Sequence, residues 1–348
     1  MTTIRDSIRA FKPLLFLIWV VPAAIGLYCL AAYVIVVRGH VIAPSHERII
    51  CIKEFLDSQA AAGKKGDICF LGSSVTIEGL DCDIVDRSLP AGIRSYNLGW
   101  TGAGPRQWLL MGPALRASRP GTVVMCTGLG TIMQGADLRP DTITIAATWR
   151  FLPDAYLKQI EPLLTPAQYE QLKAPMFQQL LALRSFPPEA ADTFLQEVSR
   201  ADLRYAGYVT NFKSPWVRRE SVDGEKRSRE LHMQRNRLRS MKSGDSLDTS
   251  VRIVRSLVSY LQQQDCRVIL LLDPMNPEVT RGLEDQAVGP ARRTLADLAK
   301  ETGALFWDHS GILDQPDDFA DSVHPSLLGR QTWSAALGRA LHDLPMPH

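Results

Sequence analysis

Ile68-Cys69-Phe70-Leu71-Gly72-Ser73-Ser74-Val75 is the stretch on which the fold turns. A short, continuous apolar run closed by a turn residue predicts a strand buried on both faces. The same pattern returns at Thr122–Cys126 (TVVMC) and Arg267–Leu272 (RVILLL), and more weakly at Ile93–Leu98 and Ala304–Trp307. Helical spacing falls between these runs. Val251, Val254, Leu257, Val258 and Leu261 mark one helix, with Asp248, Thr249 and Ser250 as candidate caps. Another is expected over Pro290–Thr302, stopping at Gly303, and a last one from about Ser326 to Leu344. Strands that alternate with helices predict an α/β fold, with a parallel sheet covered on both faces.

Upstream of the first strand, Pro13–Val37 carries no charged side chain. At about 25 residues it exceeds the roughly 20 needed to cross a hydrocarbon core. Pro22 and Gly26 interrupt it, and membrane helices tolerate both. No small-x-small cleavage pattern follows, so the reading is a retained anchor and not a cleaved leader. Arg5, Arg9 and Lys12 precede the span, which puts residues 1–12 in the cytoplasm as a tail. The expected location is therefore the inner (cytoplasmic) membrane, single-pass, with the body outside the cytoplasm. Residues 38–65 read as a stalk with an amphipathic helical stretch around Ile49, Ile52 and Leu56.

Bulk composition excludes more than it selects. The chain has 348 residues, Lys plus Arg of 39 and Asp plus Glu of 37, for a net charge of +2. That balance argues against a nucleic-acid binder. Six cysteines lack any C-x-x-C or zinc-ligand spacing, so neither a metal nor a disulfide is expected. No cofactor is implied, because Gly99-Trp100-Thr101-Gly102-Ala103-Gly104 lacks the glycine order of a dinucleotide loop. The strands divide the body into a first part, 66–135, and a second, 249–348. Between them lies a helical insertion, 136–248, with expected helices over Pro166–Leu183 and Pro188–Ser199. Its later half, 203–243, is basic. It reads as a solvated face, or as a contact for anionic lipid, polymer or a protein partner.

Four segments fall where parallel sheets bind ligands, past the carboxyl ends of strands. The first is Gly72-Ser73-Ser74. The second is Asn97-Leu98-Gly99-Trp100-Thr101-Gly102, whose glycines allow close backbone approach to a ligand. The third is Thr127-Gly128-Leu129-Gly130-Thr131. The fourth is Asp321-Ser322-Val323-His324-Pro325, just before the last helix. A hydroxyl, an imidazole and a carboxylate three residues from it are the parts of a nucleophilic acyl-transfer site. His309, after the fifth strand, is the competing base.

The order of these motifs resembles the SGNH (GDSL-like) hydrolase superfamily, over about residues 66–131 and 267–345. The resemblance implies a three-layer SGNH/flavodoxin-like fold. It makes Ser74 the nucleophile, His324 the base and Asp321 its orienting carboxylate, with the N–H groups of Ser74 and Gly102 as oxyanion hole. This chain departs from the pattern twice. Ser73 stands where the family has Asp. Gly128-Leu129-Gly130-Thr131 stands where it has Gly-x-Asn-Asp, so the side-chain oxyanion donor is missing, and Asn97 is the candidate replacement. Gly-Ser-Ser with one N-terminal anchor is similar to the D-alanyl transfer protein of teichoic-acid modification. The implied activity is hydrolysis or transfer of a small acyl group on a cell-envelope polymer or carrier. A multi-span membrane acyltransferase is the partner this implies. The missing Asn motivates the alternative, a non-catalytic scaffold that keeps the fold.

Overall fold

The computed structural model describes residues 44–134, 151–174, 208–215, 224–240 and 245–345, with isolated positions at 20, 22–23, 26–27, 143 and 146. Helix α1 spans Pro44–Ala61 and precedes strand β1, Ile68–Leu71. Two short helices follow, α2 (Ser74–Gly79) and α3 (Cys82–Asp86), and then β2, Ser95–Asn97. Helix α4, Pro105–Ser118, leads to β3, Thr122–Thr127, and α5, Leu129–Gln134. Insertion helices are α6 (Asp154–Ile160), α7 (Pro166–Lys173) and α8 (Gly224–Ser240). The second part holds α9 (Asp245–Gln262), β4 (Arg267–Leu272), α10 (Pro277–Thr280), α11 (Gly289–Thr302), β5 (Leu305–Asp308) and α12 (Leu327–His342).

The five strands form one sheet in the order β2-β1-β3-β4-β5, every pair parallel. Period two sorts the strand side chains into two cores. Cys69, Leu71, Val123, Met125, Val268 and Leu270 face one side, where α1, α4, α9 and α11 pack. Ile68, Phe70, Val124, Cys126, Ile269 and Leu271 face the other, with Val85 of α3 and Trp333, Leu337 and Leu341 of α12. The result is three layers with the sheet in the middle, as the buried apolar runs predict.

Local chemistry sets the ends of several elements. Helix α11 stops at Gly303, whose φ of 71° is the left-handed cap conformation that glycine adopts without strain. Helix α12 starts with Ser326, whose side chain accepts from the Gly329 N–H. Helix α9 begins upstream of the cap position expected at Asp248–Ser250. Leu247 and Ser250 are buried, so the inward stripe runs a turn further back than the apolar residues alone show. Helix α7 matches the start of the expected Pro166–Leu183 helix and ends at Lys173; its remainder and Pro188–Ser199 lie outside the described residues.

The segment read as a stalk is no spacer. Ile49, Ile52 and Leu56 of α1 are buried in the same core as α4, so α1 is part of the outer layer. Arg48, on the same helix, is wholly buried. Among the described residues no helix is long and apolar enough to cross a membrane. The span Pro13–Val37 lies almost entirely outside them. Cys51, Cys69, Cys82, Cys126 and Cys266 are free thiols, and Cys29 is outside the described residues.

Candidate active site

Ser74 opens α2 directly past the carboxyl end of β1. The turn between them demands glycine, because a Cβ on Gly72 would stand 1.7 Å from Thr76 Oγ1. The two serines divide the work. Ser73 is the N-cap: its Oγ accepts from the Val75 N–H at 3.4 Å, and its carbonyl accepts from Thr76 and Ile77. Ser74 is left with its hydroxyl free for chemistry. Two buried side chains hold the far end of α2. Asn97 Nδ2 donates to the Thr76 carbonyl at 2.8 Å and to that of Leu80 at 3.2 Å. Arg330 Nη1 donates to the Glu78 carbonyl at 3.2 Å. A six-residue helix has little stability of its own, so these clamps position the serine.

The loop before α12 brings His324 to it. Phe319 and Pro325 form an antiparallel bridge, and the Ala320 N–H donates to the His324 carbonyl at 2.9 Å, closing the loop on itself. His324 Nε2 lies 2.9 Å from Ser74 Oγ. Its Nδ1 lies 2.8 Å from Asp321 Oδ2 and 3.0 Å from Oδ1. With Nδ1–H donating to the carboxylate, Nε2 is free to accept the serine proton. Asp321 Oδ1 also accepts the N–H groups of Val323 and His324, both at 2.8 Å. Burial pushes the Asp321 carboxyl up. The hydrogen bond and charge of His324, with those two N–H groups, outweigh burial and hold it well below the usual carboxylate range. Residues 250 positions apart thus meet as hydroxyl, imidazole and carboxylate in series. Glu78, one turn along α2 from Ser74, adds a second buried carboxylate, with Oε1 3.8 Å from His324 Nε2. The Ser74-x-x-x-Glu78 spacing, one helical face, is the signal that could have shown it.

Gly102 stands in a tight turn after β2. The Ala103 N–H donates to the Trp100 carbonyl at 3.1 Å, making a turn whose third residue, Gly102, has φ 73°. Gly102 and Ser74 line one cavity. Neither of their N–H groups is donated to an acceptor among the described residues. Asn97 does not fill the expected role of side-chain donor. Its amide hydrogens go to carbonyls of the α2 end, its Oδ1 accepts the Gly99 N–H at 3.1 Å, and it is fully buried. Gly130 leaves open space where the resemblance would place Asn: a Cβ there meets nothing within 4 Å.

The cavity holds about 330 Å³ and is floored by the carboxyl ends of β1, β3 and β4. The basic insertion builds one wall, through Gln234, Arg237 and Leu238 of α8. Arg227 ties that helix to Glu278 of α10 at 3.0 Å, and Arg235 donates to the Arg281 carbonyl at 2.6 Å. Part of the positive charge read as a free face therefore anchors a cavity wall. Asp273, the residue after β4, also lines the cavity. A carboxyl ending the run RVILLL was its sequence signal. His309 is not in this group. It accepts from Trp333 Nε1 at 3.2 Å, stacks on Trp307, and is pushed down to about 4 by burial, so it sits neutral in the core.

Arg48 secures the Gly102 loop from behind. Its guanidinium donates to the carbonyls of Gly99 at 2.6 Å and Asn97 at 2.7 Å, and to that of Tyr208. It lies 5.4 Å from the ring centres of both Tyr208 and Phe212. Burial pushes this group down to about 10, still charged at neutral pH.

The chain matches no protein-family model and no curated protein. Among solved structures it is similar to a catalytic mutant of Axe2, described as an acetylxylan esterase from Geobacillus stearothermophilus. That match has 15% identity and a TM-score of 0.41 over 81% of this chain and 96% of that one. A second Axe2 mutant, described as an acetyl-xylooligosaccharide esterase, has 15% identity and a TM-score of 0.40 over the same shares. Likeness at this level carries no activity over to this chain.

Proposed function

We propose that this protein is a serine acyl-enzyme, an esterase or O-acyltransferase working through an ester on Ser74. The observation that carries the reading is the continuous Ser74–His324–Asp321 hydrogen-bond chain at the mouth of a cavity. Ser74 Oγ attacks the ester carbonyl carbon while its proton passes to His324 Nε2. The Nδ1–H bond to Asp321 keeps the ring in the right tautomer and offsets the imidazolium charge. The tetrahedral oxyanion is met by the N–H groups of Ser74 and Gly102, each such donor being worth about 10²–10³ in rate. Collapse breaks the ester C–O bond; the leaving oxygen takes the proton held by His324 and departs as the alcohol, leaving acyl-Ser74. A water or a sugar hydroxyl, deprotonated by the same nitrogen, then releases the acyl group.

The setting we propose is the outer side of the cytoplasmic membrane. Pro13–Val37 is the single span, and an acylated cell-envelope polymer or carrier is the substrate, with a multi-span acyltransferase as partner. The uncharged run and the basic residues before it support this. Alkaline phosphatase fused after His348 should be active in whole cells; an inactive fusion, with an active cytoplasmic reporter at the same point, would reverse the orientation. The chemistry is tested by turnover of 4-nitrophenyl acetate by the full chain. Ser74→Ala and His324→Ala should each lower kcat by about 10⁴-fold or more, and the double variant by no further factor. Retained turnover in Ser74→Ala would remove Ser74 from the mechanism.

A further inference from the structure

Asp273 is a buried carboxyl group without a counterpart. It follows β4 directly, and its N–H donates to the Thr127 carbonyl at 3.1 Å. The side chain is buried, yet neither Oδ1 nor Oδ2 has a hydrogen-bond partner among the described residues. Unpaired buried oxygens of this kind are heavily penalised and rare in native folds, unless a ligand supplies what is missing. The residue lines the Ser74 cavity. Parallel register sets Thr127 against Leu272, so Gly128 stands beside Asp273. A Cβ on Gly128 would come within 3.5 Å of Oδ2, and one on Gly130 would meet nothing within 4 Å. No side chain at Gly128 covers the carboxyl group.

We infer that Asp273 is a substrate-binding residue, whose carboxyl group hydrogen-bonds a hydroxyl of the substrate at the end of the cavity away from Ser74. This rests on the reading of Ser74 as nucleophile, which makes the cavity the substrate's. Two strand spacings, about 4.8 Å each, separate β4 from β1. Asp273 is therefore about 10 Å across the sheet from the Ser74 turn, too far for the reacting carbonyl and near enough for a group several bonds away. A hydroxyl is the matching chemistry, because a protonated carboxyl offers one donor and one acceptor, as a hydroxyl does. Burial pushes the Asp273 carboxyl well above its usual range. The neighbouring groups do not supply a counter-charge. Cys126 on β3 is a thiol itself pushed up by burial and by this carboxyl. Arg237 of α8 lines the cavity but has an interaction of its own and gives no hydrogen bond to Asp273. His309, past β5, is held by Trp333, and His324 is held by Asp321.

Two measurements on the full chain test the inference. The infrared difference spectrum of wild type minus Asp273→Asn at pH 7 should contain the carbonyl stretch of a protonated carboxyl. Carboxylate bands alone would overturn the inference and point to an ammonium-bearing ligand. The second measurement is the ratio of kcat/KM for a monoacetylated methyl glycoside to that for 4-nitrophenyl acetate. Asp273→Leu should lower this ratio about tenfold, the worth of one good hydrogen bond, and Asp273→Asn should restore most of it. An unchanged ratio in Asp273→Leu would overturn this inference alone. Wild type that turns over neither ester would remove the Ser74 reading and this one together.

Discussion

At the scale of single residues, the site works by assigning one task to each polar group. Ser73 caps the helix; in the proposed mechanism Ser74 attacks, His324 shuttles the proton and Asp321 orients the ring. Asp321→Asn should leave the fold in place and lower kcat about 10³–10⁴-fold, because an amide can impose the wrong imidazole tautomer. The readout is ester turnover beside an unchanged circular-dichroism spectrum. His309 makes a separate, pH-dependent claim. Its folded value near 4 lies below its ordinary 6.5, so the fold favours the neutral ring. The unfolded chain then binds the extra proton first. This contribution is complete above pH 6.5 and is lost as pH falls toward about 4, by up to about 3 kcal/mol. His309→Gln, which keeps an acceptor for Trp333, should flatten that part of the stability curve in urea titrations. An unchanged slope would show the ring to be solvated. Ser74, His324 and Asp321 were legible in the sequence because a strand-end serine and an Asp-x-x-His turn are local patterns. Glu78 and Asp273 were not, because a carboxylate on a helix or after a strand reads as solvent-facing until its burial is known.

At the scale of elements, the helix that carries Ser74 is short and borrows its rigidity. Gly72 makes the turn into α2, Asn97 and Arg330 close its end, and Arg48 holds the loop that carries Gly102. Arg48→Leu would leave the carbonyls of Gly99, Asn97 and Tyr208 buried without their donor, at about 1–3 kcal/mol each. A loss of at least about 3 kcal/mol in chemical denaturation is expected, and a loss below about 1 kcal/mol would show that water replaces the guanidinium. Gly72→Ala should be similarly damaging, because the new methyl group meets Thr76 at the turn itself. Strand positions were legible because β1, β3 and β4 are apolar on both faces and bounded by turn residues. The role of α1 was not, because its neighbour in sequence is a membrane-like run. Proximity to that run made a core helix look like a stalk. Asn97 misled for a related reason: its place at a strand end suits a catalytic donor as well as a helix clamp, and hydrogen-bond partners decide between them.

At the scale of the whole molecule, a 2-1-3-4-5 parallel sheet gathers residues from distant segments at one edge, and α8 builds one wall of the cavity there. A parallel sheet covered on both faces was readable from alternating strands and helices; its strand order was not. The placing of α8 was not, since a basic helix between distant strands carries no signal of which face it covers. The same edge holds Ser74, the Gly102 turn and Asp273, and the proposed function requires Ser74 to attack in the intact molecule. Labelling of the full chain with a fluorophosphonate, followed by mass spectrometry of its peptides, reads this directly. One phosphonyl adduct on Ser74 is expected, absent in Ser74→Ala and strongly slowed in His324→Ala. An unlabelled wild-type chain, or an adduct that persists in Ser74→Ala, would contradict it.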